Sequence, residues 1–375
     1  MVEIMAVFYL LLLWEDSSYR PRLNKISWSF IAFTGAFTLA TILSANHYDS
    51  FWGTLERMGG LWTFWHYLVF FIIAISVLKT RESWMRLLQL TVFVGFLSAI
   101  YGFGQKTDIS FFIGSGEISR IFGTIGNAAL FAGYQILNLF LALTLAMNEK
   151  GNTTARKLYV GAALINTIAV LMTAVRGSLM AVGVGFILIA LLYGQAYKSK
   201  LAKKILLGLI VLAVLFVLFA NIAKNTQFVK NSGYLMRVTD FSLQAYTVQT
   251  RVWAWQAGLT GWKETPKTVL FGWGPENFNI PFSKYFNPEF YRGTGSETFF
   301  DRAHNMFVEV LVTMGLVGLL AYLSVFWSVF RFLGNKLKER KEDYIFAVGF
   351  IPLTVAYIIH NFFIFDTSAN YIVFF

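Results

Sequence analysis

The chain reads as an all-α, polytopic helical membrane protein of about 10 to 12 transmembrane helices, with one long extracytoplasmic loop containing short helices. Three observations predict this. First, 57% of the 375 residues are hydrophobic and only 14% are charged, with a positive mean hydropathy. Such a chain is too apolar for a globule that merely turns its greasy side inward. Second, the apolar residues fall into runs of span length. Third, the runs are joined by short connections except at one place, residues 221–304, where a long polar segment intervenes.

A span needs about 20 apolar residues. Runs of that order lie near 26–45, 59–78, 87–104, 121–147, 158–175, 177–194, 205–223, 305–330 and 344–360. Two shorter runs, 4–14 and 362–375, flank them. The first lacks the basic start and small-residue cleavage site of a secretory signal, so it reads as a membrane anchor. The last stops at Phe374-Phe375 without a basic flank, which suggests a chain truncated at its C-terminus. The whole of 1–375 is therefore expected to form a single integral membrane domain, with 221–304 inserted as an outer loop. Within that loop Tyr246 to Trp262 has helical spacing, with Val248, Val252, Trp255 and Leu259 on one apolar stripe and Trp253, Trp255 and Trp262 suited to the interface. The expectation is a helix lying on the membrane.

Positive charge sets the orientation, because cytoplasmic loops hold the excess of Lys and Arg. Alternate connections carry Arg20, Arg22 and Lys25; Lys79, Arg81 and Arg86; Lys150, Arg156 and Lys157; Lys198, Lys200, Lys203 and Lys204; and Arg331, Lys336, Lys338, Arg340 and Lys341. These are 18 of the 31 basic residues. The opposite short loops hold only Arg57, Lys106, Arg120 and Arg176, which puts the long loop outside. The net charge of +11 then follows from topology and contact with anionic membrane lipids, and gives no reason to invoke nucleic acid. With no cysteine, disulfides and thiolate metal sites are excluded. There is no Walker sequence, no His-Glu-x-x-His and no Asp-x-Asp pair in an outer loop, so the expectation is chemistry without a metal or cofactor.

The chemistry-bearing residues gather at the outer boundary. His304 stands just before the helix expected from Asn305, where the positive end of the helix dipole favours a neutral ring able to act as a general base; hydration at the interface is its plainer account. Arg176, in a break too tight for a solvated loop, must stay near the outer surface, where it either serves a site or snorkels to lipid phosphate. Arg251, Arg292 and Arg302 offer planar forks suited to diphosphate oxygens, with Arg237 less well placed. Asp301 could orient His304 or pair with Arg302. His66 and Glu309 are read as the other ionisable groups well inside spans, while Asn127, Gln135, Asn138 and Asn166 are explained by interhelical hydrogen bonds.

Five short motifs carry a resemblance to the bacterial O-antigen ligase family, whose superfamily also holds O-antigen polymerases and protein O-oligosaccharyltransferases. They are His304-Asn305 followed by Gly315, Phe271-Gly272-Trp273-Gly274-Pro275-Glu276-Asn277-Phe278, Thr250-Arg251-Val252-Trp253, Ala174-Val175-Arg176-Gly177-Ser178 and Gly123-Thr124-Ile125-Gly126-Asn127. The resemblance implies a multi-pass enzyme of the bacterial plasma (inner) membrane that moves a glycan from undecaprenyl diphosphate to an acceptor hydroxyl on the outer side. The acceptor would be a glycolipid such as a lipid A-core sugar, or a protein. Residue by residue, it implies His304 as general base with Arg176 and Arg251 on the diphosphate as the catalytic set, and Arg302 as their helper; with Arg302, the residues Arg292, Asp301, Glu276 and Asn305 are expected to be substrate-binding. The rival reading from another class is a transporter or channel for an anion or lipid-linked glycan, which would place its ionisable groups near the bilayer midplane.

Overall fold

A computed structural model of the chain describes residues 1–114, 120–223, 225–239, 245–292, 298–339 and 343–375. Arg340 and Lys341, used above to orient the chain, lie outside the described residues. The described residues form helices and turns with no strand, in keeping with the predicted class. Among the described residues, eight helices are long and apolar enough to cross a membrane: Lys25–Ile42, Arg81–Gly104, Ala128–Asn148, Thr153–Met172, Arg176–Tyr197, Lys200–Ala223, Met306–Glu339 and Tyr344–Asn361. Leu61–Val77 is a shorter apolar helix, and the two terminal runs are the helices Val2–Glu15 and Ser368–Phe374. Each apolar run read from the sequence thus appears as a helix, although the terminal ones are too short to span.

The run 121–147 starts its helix late. Gly123 and Gly126 take positive φ values of 57° and 82°, which glycine alone adopts without cost. The Gln105 carboxamide oxygen accepts from Phe122 N and Gly123 N at 3.0 and 2.9 Å, pinning this turn. The helix then begins after Asn127, whose Oδ1 accepts from Ala129 N and Leu130 N.

The chain divides into two compact units. One comprises Arg86–Ser242 and Phe332–Phe363 and is organised around Ala128–Asn148, nearly all of which is buried. Three neighbouring helices present a glycine to it: Gly95 faces Asn138, Gly185 faces Phe140 and Gly349 faces Thr144, leaving no room for a Cβ. Small residues of this kind let helices approach closely where lipid gives no hydrophobic drive. Lys200–Ala223, in contrast, has almost no buried residue, as befits a helix whose surface is solvated by acyl chains. His360, absent from the sequence-based inventory of ionisable residues in spans, is fully buried in this unit and its Nδ1 lies 3.0 Å from Ser178 Oγ.

The other unit comprises Met1–Met85, Leu243–Arg331 and Ile364–Phe375. Aromatic pairs hold its helices together, among them Phe37 with Phe64 at 4.3 Å, Phe33 with Tyr322 at 5.3 Å and Phe64 with Tyr371 at 5.1 Å. Its loop segment packs on a core of Ala254, Ala257, Phe278, Phe282, Phe290, Phe300, Ala303 and Val312. The expected helix Tyr246–Trp262 is present with those bounds, but its buried face is Thr250, Ala254, Ala257, Gly258 and Gly261, not the stripe of Val, Trp and Leu. Close packing is the reason: a Cβ on Gly258 would meet Phe278 and Val312, and one on Gly261 would meet Pro281.

Met306–Glu339 is interrupted at Gly315, with φ 66° and ψ −166°. There the turn at Phe271–Gly274 comes in. Trp273 N donates to Val312 O at 3.0 Å and Gly274 N to Thr313 O at 2.8 Å, so the carbonyls freed by the break are satisfied by the loop. Gly315 and Gly272 make the approach possible, because a Cβ at either would strike the backbone of the other segment.

Candidate active site

His304 lies at the junction of loop and span, between Phe300 and Phe365, whose rings meet it edge-on at centroid distances of 5.2 and 5.3 Å. Its backbone is left-handed, with φ 51°, a conformation costing about 1 kcal/mol for a residue with a Cβ and held only by its surroundings. Three anchors hold it. Trp255 Nε1, on the Tyr246–Trp262 helix, donates to Ala303 O at 2.6 Å. Ala303 N donates to Glu309 Oε2 at 2.7 Å. Asn305 starts the next helix, its Oδ1 accepting from Phe307 N and Val308 N at 2.9 and 3.2 Å.

The imidazole Nδ1 is 3.3 Å from Arg302 O. A carbonyl can only accept, so this contact favours the Nδ1–H tautomer and leaves the Nε2 lone pair open. Burial pushes the His304 pKa down to about 4, aided by the positive charge of Arg251 and, less, of Arg57. The ring is therefore neutral at pH 7, as expected. The dominant cause is desolvation among aromatic rings.

Arg302 is committed elsewhere. Its Nη2 pairs with Glu276 Oε1 and its Nη1 with Glu309 Oε1 at 3.2 Å, and the three side chains are only 14%, 2% and 5% exposed. Glu276, with φ 66°, also accepts from Thr54 N at 3.3 Å. This buried triad ties the 271–278 motif, the residue two before His304 and the first turn of Met306–Glu339 into one strut. Arg302 and Glu276, both expected at the substrate, here compensate each other's charge. Asn305 caps the following helix through its Oδ1. Asp301 meets neither His304 nor Arg302 by hydrogen bond but pairs with Arg57 at 3.1 Å. Arg292 engages Glu289 within its own turn and is largely exposed.

Arg251 sits one helical turn before Trp255 on the same helix, and its charge is felt at His304. Arg176 is in the other unit, where it opens the helix Arg176–Tyr197 after Ala174 at φ 51°. Gly177 is packed under Phe363 and Ser178 is bonded to His360. Sequence reasoning passed over Arg57, Phe365 and Phe300 as site residues. A lone basic residue in a short outer loop was the only available signal for the first.

Residues 161–323 match the family model described as O-antigen ligase. No curated protein matches the sequence significantly. The matched stretch holds Arg176, Arg251, Glu276, Asp301 to Asn305 and Glu309, but not Arg57 or Phe365.

Proposed function

We propose that this multi-pass membrane protein, whose residues 161–323 match the O-antigen ligase family model, transfers a glycan from undecaprenyl diphosphate to an acceptor hydroxyl on the outer side of the bacterial plasma membrane. One observation carries the reading: His304, buried between two aromatic rings with its Nδ1 3.3 Å from Arg302 O, stands in the field of Arg251 at the boundary of a span.

The acceptor O–H gives its proton to His304 Nε2 as its oxygen attacks the anomeric carbon. The bond from that carbon to the phosphate oxygen breaks, and undecaprenyl diphosphate leaves with the electron pair. In-line attack inverts the anomeric centre. Arg251 stabilises the charge growing on the leaving diphosphate. The same anion offsets the cationic field at His304, so the ring gains basicity when the donor is bound. The Arg302 triad keeps the loop from drifting, which matters because a displacement near 1 Å can cost about a hundredfold in rate. The acceptor is a glycolipid such as a lipid A-core sugar, with chain polymerisation and protein glycosylation as the alternatives inside the family.

The test uses the purified full chain with an undecaprenyl-diphosphate-linked glycan and a glycolipid acceptor. His304→Ala is expected to lower transfer by at least about 10²-fold, the scale of general-base catalysis, while donor binding persists. Full activity in that variant would remove the proposed mechanism. Mass spectrometry of surface glycoconjugates with and without the gene assigns the subclass.

A further inference from the structure

Arg57 lies in the turn between the helices His47–Trp52 and Leu61–Val77, outside the stretch matched to the family. Its turn is built onto the strut beneath His304: Thr54 N and Oγ1 both donate to Glu276. Close by, Gly59 approaches Glu276 and Arg302 so tightly that a Cβ would collide with the carboxylate. The Arg57 guanidinium lies over the Phe365 ring at 4.3 Å, and the His304 ring meets that same phenyl at 5.3 Å.

We propose that Arg57 is an additional donor-binding residue, its guanidinium leaving Asp301 to take an anionic oxygen of the lipid diphosphate; this rests on the glycosyl-transfer reading above. Four observations support it. The Arg57–Asp301 pair has side chains 29% and 30% exposed, and a half-open pair of this kind adds little stability. The Arg302 triad beside it is sealed, so the two arginines differ in what a ligand could reach. Although 3.1 Å from Asp301 Oδ2, Arg57 Nη1 is off the hydrogen-bonding direction: it is shielded from solvent and has no hydrogen-bond acceptor among the described residues. A shielded donor without an acceptor is what a ligand oxygen satisfies. Finally, stacking on Phe365 fixes the plane of the fork through a cation–π contact, so the guanidinium is preorganised on the His304 side of the unit.

The experiment measures binding of undecaprenyl diphosphate to the full chain in phosphatidylcholine nanodiscs, for wild type, Arg57→Gln, Arg57→Lys and Asp301→Asn, with glycan transfer followed in parallel. Arg57→Gln is expected to weaken binding about tenfold or more, the scale of one charge-assisted contact. Arg57→Lys, which keeps the charge and loses the fork, should fall between it and wild type. Asp301→Asn should bind as tightly as wild type or tighter, because it releases the fork. Undecaprenyl monophosphate should lose less than the diphosphate on Arg57→Gln, and phosphatidylglycerol should not compete. Equal binding by Arg57→Gln and wild type overturns the assignment. So does a loss in Asp301→Asn matching that in Arg57→Gln, which would make the pair a structural brace, or competition by phosphatidylglycerol, which would make Arg57 a bilayer anchor. Wild type that binds the lipid without transferring glycan overturns the transfer reading alone.

Discussion

Replacing Arg302 with Met removes the centre of a buried ion triad and leaves Glu276 and Glu309 facing each other, 2% and 5% exposed. Stranding a buried charge in this way costs about 3–5 kcal/mol. At roughly 2 °C per kcal/mol for a large domain, the thermal midpoint should fall by about 6–10 °C. The assay is tryptophan fluorescence on heating the protein in a fixed detergent. The triple variant Arg302→Met, Glu276→Gln, Glu309→Gln should recover most of the loss, because each Gln keeps an oxygen for Ala303 N or Thr54 N while the uncompensated charge is gone. Arg302→Lys should fall between, since a single ammonium cannot span both carboxylates as the fork does. A Met variant melting within about 2 °C of wild type, or a triple variant as unstable as the single one, would refute the claim that charge compensation holds this junction together.

Other consequences follow from the same geometry. With the His304 pKa near 4, kcat/KM should show its acid limb there and stay level toward neutrality; a limb at 6.5 would contradict the desolvated ring. Between pH 6.5 and 4 the unfolded chain takes up a proton at this position that the folded chain refuses, so stability rises with pH across that window and is lost on acidification. His304→Gln should flatten that share of the pH dependence in unfolding measurements. Gly315→Ala forces a Cβ into φ 66°, ψ −166° against the Leu270 carbonyl. It should destabilise by at least about 1–3 kcal/mol, whereas Gly183→Ala, with open space around it, should be neutral in the same melting assay. Asn305→Ala should cost about 1 kcal/mol of stability with donor KM unchanged, and Asn305→Asp should restore it; a raised KM at full stability would return Asn305 to the substrate.

The spans were legible because a bilayer demands long apolar runs, and such runs are visible in any window of the sequence. The candidate junction was legible as a stretch of chain, since Arg302, His304 and Asn305 are neighbours in sequence. Partners distant in sequence were not. Nothing at Asp301 announces Arg57, and nothing in the 271–278 motif says that Glu276 neutralises Arg302. The protein-facing side of Tyr246–Trp262 was not legible for a related reason: Thr250, Ala254, Ala257, Gly258 and Gly261 have little hydrophobic weight, yet small side chains are what a tightly packed contact selects. His360 escaped notice because a helix-terminal histidine looks solvated until its neighbour Ser178 is found across the packing.

The two hydrogen bonds from Trp273 and Gly274 to the interrupted helix have a biosynthetic corollary. In hydrocarbon, peptide groups released by such a break would have no partner, so the segment from Met306 is most stable inserted as an unbroken rod. Only after the preceding polar stretch has seated its glycine corner can the rod be notched. Folding of the loop and formation of the left-handed turn at His304 are thereby ordered in time, the helix break waiting on the loop that satisfies it.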